Sequence, residues 1–361
     1  MIDRRQLLVT GALLGLSPAT GFANGPPEQD NPTVDAFVKA QGFQGIVMTG
    51  RAGKPNYARA FGMADSEAGR PATIDTRYAI ASISKWLTAV TVLRLVERGK
   101  LSLDAPITAV LRDYRADTGA KVTLRHLLSN TSGIPSMFLP AAKLDPDVLT
   151  REVSAADGVK LYASADLAFE PGSQFDYALT NWFIITAMVE AATGQPFQEV
   201  VRTITLDPLG LKHTDATRTS RDLPTPAASY RGTPPARMQV RRLEIMAAGG
   251  GYYSSAADLL RAAHLVFDTG FLSSTSLREL KTINAPNDNY ALGGRIRSLT
   301  IDGTTRLAGW ETGNTEGYRS VLGHRFDDRS TVVILNNTGM SQRTLDLFAD
   351  SLFGAAPPPA S

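Results

Sequence analysis

Hydrophobic and polar positions follow two rhythms along this chain. "FQGIVMTG" (43–50) and "YARAFGMAD" (57–65) read as two short strands around a Gly-Lys-Pro turn at 53–55. A helical stretch follows, "YAIASISKWLTAVTVLRLVERGK", apolar on almost every face from Trp86 to Val96 and ending at Gly99, a C-terminal cap. Residues from about 100 to 245 carry helical patterns separated by loops such as "SNTSGIPS" and "FEPGSQF". "SSAADLLRAAHLVF" (254–267) predicts an amphipathic helix. From about 290 the strand rhythm returns in "YALGGRIRSL", "RLAGWETG", "YRSVLGHRF" and "STVVILNN", and a helix from about Gln342 to Phe353 closes the pattern. Strands at both ends with helices between them predict an α+β fold. Its antiparallel sheet is built from both termini (about 40–62 and 290–340), packed by helices, with an inserted, mainly helical lobe at about 100–245.

The flanks differ in kind. Arg4 and Arg5 precede an apolar stretch from Leu7 to Leu16, and Gly21-Phe22-Ala23 supplies small residues for cleavage. The pattern predicts a twin-arginine-type signal peptide over 1–23, and hence a periplasmic or secreted protein. The run falls short of the roughly 20 residues a spanning helix needs, so no stable membrane span is expected after its removal. "GPPEQDNP" (25–32) reads as a linker and "GAAPPPAS" (354–361) as a disordered tail, leaving one folded domain over 24–353.

Composition narrows the chemistry. With 43% hydrophobic and 20% charged residues the 361-residue chain is ordinary globular protein. A net charge of +2 without a dense basic run argues against nucleic acid. The absence of cysteine excludes disulfides, thiolate metal sites and a cysteine nucleophile. Four histidines and no His-Glu-x-x-His argue against a zinc site, and no cofactor is implied. What remains is oxygen nucleophiles, carboxylates, lysines and tyrosines.

That returns attention to Ser82 and Lys85, at the mouth of the apolar helix. Spaced by three, they share a helix face. A serine hydroxyl is a poor nucleophile unless a base takes its proton, and a lysine serves only if desolvation or nearby positive charge lowers its pKa. An apolar helix supplies the desolvation, and its N-terminus offers free N–H groups to an oxyanion. Taken alone, the pair is more cheaply explained by a helix N-cap and a snorkelling lysine.

The wider sequence weighs on that choice. "IASISKWLTA", "VTLRHLLSNTSGIPS" (122–136), "LDPLGLKHTDAT" (206–217), "GGGYYSSAADLL" (249–260) and "GNTEGYRSVLG" (313–323) occur in the order expected of one family. The chain resembles the serine β-lactamase and penicillin-binding-protein family, in the branch of class C β-lactamases, D-aminopeptidases and related esterases. The resemblance implies Ser82 as acyl-enzyme nucleophile and Lys85 as its proton partner. In "FDYALTN" it implies Tyr177 as base or proton shuttle, with the choice between Lys85 and Tyr177 open. In "GWETGNTEGYRS" Gly313 leaves room for substrate, and the backbone N–H of Asn314 joins that of Ser82 in an oxyanion hole.

Two departures stand out. The family's Tyr-x-Asn is Tyr177-Ala178-Leu179 here, and Leu179 has no side-chain donor for a substrate carbonyl. Asn181 substitutes only if the local backbone is rearranged, and is otherwise structural. On the strand, Glu311 takes the position of the family's lysine or histidine, followed by Thr312. A glutamate facing the cleft repels a substrate carboxylate unless it is protonated; alternatively it points away and Trp310 lines the site. His126, Asn130, Asp176 and Arg319 have weaker claims and read as structural or solvated. The expected function is an exported serine hydrolase cleaving a small ester or amide, esterase-like and poor on β-lactams. Neutral esters, or amides bearing an amine, are the better expectation. A D-aminopeptidase, DD-peptidase or β-lactamase acting on cell-wall-like amides is the alternative within enzymes, and an acyl-ligand sensor without turnover is the one outside them.

Overall fold

The computed structural model describes residues 30–216, 223–240 and 243–356. The segment expected to be a signal peptide lies outside the described residues, as do the last five residues of the tail. Six strands form one antiparallel sheet: β1 (Gly45–Arg51), β2 (Lys54–Phe61), β3 (Arg295–Ile301), β4 (Thr304–Thr315), β5 (Tyr318–Arg325) and β6 (Ser330–Asn336), in the order β2-β1-β6-β5-β4-β3. The two ends of the chain meet inside it, with Ile46 of β1 opposite Leu335 of β6. The β1–β2 hairpin turns at Ala52 and Gly53, both at positive φ, the geometry that matches the strands' twist. Glycine is also needed there because a Cβ at Gly53 would overlap the His264 ring.

Each face of the sheet has its own core. One packs Val47, Trp310, Val321 and Ile334 against helices α1 (Pro32–Gln41) and α7 (Gln342–Leu352). The other carries the larger core, on which lie α2 (Ile83–Glu97), α5 (Ala247–Gly250), α6 (Ala256–Asp268) and the inserted lobe. Within the lobe the two helices nearest the site are α3 (Leu124–Leu128) and α4 (Thr180–Thr193). α2 is buried on all sides because the sheet, α6 and the lobe enclose it. Trp86 stacks on Phe267 at 5.5 Å, and Thr88 Oγ1 donates to the Ala248 carbonyl at 2.9 Å.

Two expectations at the edges need correction. The stretch read as linker ends in a helix: Asn31 caps α1 by accepting from the Thr33 and Val34 N–H groups, and Pro32 occupies its first turn. The tail read as disordered from 354 is held at its start, where the Ala356 N–H donates to the Thr300 carbonyl on β3 at 2.9 Å. No helix among the described residues is long and apolar enough to cross a membrane.

Candidate active site

The site begins with a strained turn. Tyr78 and Ala79 pair with Ser254 and Tyr253, Ile80 N–H donates to the Tyr252 carbonyl, and the chain then turns at Ala81, a non-glycine residue with φ +45°. Such a residue costs on the order of 1 kcal/mol. It delivers Ser82 to the N-cap position of α2, half-buried, in a helical backbone conformation and with no capping hydrogen bond from its side chain. The hydroxyl is therefore free for chemistry, and the Ser82 N–H has no acceptor among the described residues.

One turn on, Lys85 is only 2% exposed. It does not snorkel. Its Nζ donates to Ser82 Oγ at 3.3 Å and to the Gly249 carbonyl, and lies 4.9 Å from the Tyr177 ring centroid and 5.4 Å from that of Trp182. Gly249 is fixed by packing, since a Cβ there would come within 2.7 Å of Leu179 Cδ1 and 3.1 Å of Trp182 Cβ. A lysine bound on one side to a serine hydroxyl and otherwise enclosed by rings and a carbonyl can exchange a proton with that serine.

Tyr177 lies three residues before α4, 43% exposed, with Phe175 and Tyr290 at its flanks; the Tyr290 ring meets it edge-on at 6.1 Å. Leu179 precedes the first turn of α4 and packs towards Gly249. Asn181 does not take up the role considered for it. It is fully buried, accepts from Ser132 Oγ at 2.7 Å and donates to Asn130 Oδ1 at 3.2 Å, binding the 130–132 loop to α4. His126 caps α3, its Nδ1 accepting from the Thr123 N–H. Asp176 is exposed and Arg319 half-buried.

On the sheet, β4 outruns its neighbour β3. Their pairing stops at Trp310–Arg295, while the ladder to β5 continues to Thr315. The stretch 311–315 thus presents an edge that β3 leaves unpaired. Gly313 packs so closely on the turn before Ser82 that a Cβ would overlap the Ile80 carbonyl oxygen and Ser320 Oγ, which donates to that same oxygen at 3.1 Å. Thr312 is half-buried and Asn314 exposed. Trp310 lies on the opposite face and is a correction to its candidacy: its Nε1 donates to Asp346 at 3.2 Å, Arg297 covers its ring at 4.3 Å, and Phe353 packs beside it. Strand alternation then turns Glu311 toward α2.

Glu311 is 6% exposed. Its carboxyl lies against Gly294, where any Cβ would overlap both oxygens, and beside Tyr290. Burial pushes the carboxyl well above its ordinary pKa, and the nearby Arg295 only partly offsets this. Tyr290 is likewise raised, first by burial and then by the negative ends of Tyr177 and Glu311. Tyr290, Gly249, Gly293 and Gly294 were not singled out in the sequence. The signal was the glycine pair after an aromatic in "NYALGG": Gly293, at φ +76°, abuts the Lys85 carbonyl, and Gly294 abuts Glu311.

Residues 31–350 match the beta-lactamase family, described by that name. Esterase EstB of Burkholderia gladioli is 32% identical over 343 residues, covering 82% of this chain and 87% of its own. A penicillin-binding protein from Bacillus halodurans superposes with a TM-score of 0.77 at 24% identity, covering 90% of this chain and all of that one. The D-amino acid amidase of Ochrobactrum anthropi SV3 does so at 0.74 and 21% identity, covering 89% and 96%. The chain belongs to the beta-lactamase family and is a serine hydrolase.

Proposed function

We propose that the chain is an exported, esterase-like hydrolase that works through an acyl-enzyme on Ser82. The observation that carries this is the contact of Ser82 Oγ with Lys85 Nζ at 3.3 Å, made by a serine whose side chain does no capping. Similarity to esterase EstB supports the ester preference. Ser82 Oγ attacks the carbonyl carbon while its proton passes to the Lys85–Tyr177 pair. The N–H groups of Ser82 and Asn314 receive the oxyanion. The pair returns the proton to the leaving alkoxide; water, deprotonated by the same groups, then attacks the acyl carbon, the bond to Ser82 Oγ breaks, and the proton passes back to Ser82 as the acid leaves. Thr312 and Gly313 form the strand along which substrate lies. Glu311 stands where a lysine or histidine would meet a substrate carboxylate, and Leu179 offers no side-chain donor, so β-lactams and D-Ala-D-Ala peptides lack a cationic partner and are poor. Export rests on the twin-arginine-type pattern at 1–23, and is tested by fractionating cells that express the chain with Arg4 and Arg5 intact or replaced by lysine.

The test of the activity sets p-nitrophenyl butyrate beside nitrocefin with purified protein. Steady turnover of the ester, with nitrocefin at least about 100-fold poorer in kcat/KM, is expected; a difference of this size matches the loss of one charge-assisted contact to the substrate carboxylate. Efficient nitrocefin hydrolysis overturns the specificity, and acylation without turnover makes the protein a sensor.

A further inference from the structure

Glu311 is anomalous among the buried carboxylates. Among the described residues its carboxyl makes no hydrogen bond and no ion pair, although little of it reaches solvent. Arg295, the cation nearest in effect, lies over the Tyr290 ring at 5.2 Å instead of pairing with it. A buried carboxyl without a partner is costly, and a fold retains one where a ligand completes it.

Its place in the site says which ligand. Glu311 reaches the first turn of α2 through Gly293 and Gly294, which touch the Lys85 carbonyl and the Glu311 oxygens in succession. It reaches Tyr177 through Tyr290. Two residues along the strand, on the same face, Gly313 abuts the turn that carries Ser82. The carboxyl thus lies on the strand face that abuts the turn bearing Ser82, one neighbour removed from Lys85 and Tyr177, and Gly294 is what leaves space for it. Its chemistry favours a hydrogen-bond donor with positive charge.

We propose that Glu311 is the receptor for a protonated amine on the substrate, so that the preferred substrates are esters or amides of amine-bearing acyl groups. The inference rests on the acyl-enzyme reading above. The ammonium donates to the carboxylate, supplying the partner that the fold withholds, and its charge keeps that carboxylate ionised.

The experiment compares p-nitrophenyl esters of glycine and β-alanine with the near-isosteric propionate and butyrate esters, each rate divided by its hydroxide-catalysed rate. The wild-type protein is expected to favour at least one amine-bearing ester about tenfold or more in normalised kcat/KM. In Glu311→Gln that ratio should fall to about 1, and in Glu311→Lys it should drop below 1 while a succinyl half-ester improves. A ratio is read within one sample, so partial unfolding of a variant cancels, and the wild-type ratio stands even if both variants fail to fold. Equal use of both esters by the wild-type protein, or an unchanged preference in Glu311→Gln, overturns the proposal while leaving the hydrolase reading intact. Absence of turnover on all four esters overturns the hydrolase reading, and with it this proposal.

Discussion

Two nearly buried acids lie under the same sheet and are treated in opposite ways. Asp268, at the end of α6, has a side chain only 6% exposed and is fully engaged: His264 Nδ1 lies 2.8 Å from one oxygen and His324 Nε2 3.2 Å from the other, with His324 Nδ1 turned to Thr331 Oγ1 at 2.9 Å. Burial alone would raise its pKa, but the bonds to His324 and His264 outweigh it and hold the carboxyl below its ordinary value. Glu311, equally enclosed, has no such bonds, and burial raises it. The first acid ties α6 to the sheet through His324 and, within α6, holds the His264 ring that packs on Gly53 of the β1–β2 turn. Among the described residues the second holds no other element, and it lies on the strand face that, two residues on at Gly313, abuts the turn bearing Ser82. Satisfied charge marks architecture and unsatisfied charge marks chemistry, a trade that functional sites commonly make against stability.

The largest effect that sharpens this contrast is on the chemical side. Replacing Lys85 by methionine should lower ester turnover by about 10⁴-fold, the scale on which nucleophile partners act. Urea unfolding should show stability kept within about 1 kcal/mol, since an apolar side chain of similar volume replaces a buried charge. A variant that lost several kcal/mol would make Lys85 architectural and break the comparison.

Asp268→Ala should do the reverse, costing about 3 kcal/mol because His324 and His264 lose their partner, with activity per folded molecule retained. The pH dependence follows from sign. A carboxyl depressed in the folded state contributes stability above its unfolded value, and that contribution is lost as pH falls through its folded value, so below about pH 4 the wild-type advantage over Asp268→Ala should shrink. Urea midpoints from pH 3 to 7 measure it. A constant difference across that range would contradict the assignment.

The smallest effect is the stability of Glu311→Gln. For a raised carboxyl the folded state holds the proton longer than the unfolded chain, so stability falls as pH rises from about 4.5 through the folded value. The variant should be the more stable protein at pH 8, with the gain vanishing near pH 4, as thermal melts in matched buffers would show. A gain of equal size at both pH values would mean that packing, not charge, distinguishes the two side chains.

How much of this was visible beforehand follows the same division. Strand rhythm gave the sheet from both ends because alternation is local, whereas the Ser82–Lys85 pair was singled out by the family resemblance of several segments, its spacing alone fitting a helix cap more cheaply. Glu311 was recognisable as a departure, but its orientation was not: Glu311 and Trp310 are neighbours, and only the packing of Trp310 beneath Asp346 and Phe353 decides which faces the serine. Asn181 resolved the same way, since its partners Asn130 and Ser132 lie some fifty residues away in sequence. Tyr290 and Gly294 carried little signal in isolation; their importance comes from contacts with residues on other elements. Helix α1 was missed although Asn31-Pro32 is a good start signal, because proline and glycine just before it read as linker.

The central claim is that Ser82, activated by Lys85, becomes acylated. It is tested most directly by intact-mass and peptide mapping after treatment with a fluorophosphonate probe. A single adduct on the peptide bearing Ser82, absent in Ser82→Ala and strongly slowed in Lys85→Met, is the predicted result. An adduct on another residue, or ester turnover that survives in Ser82→Ala, would contradict it.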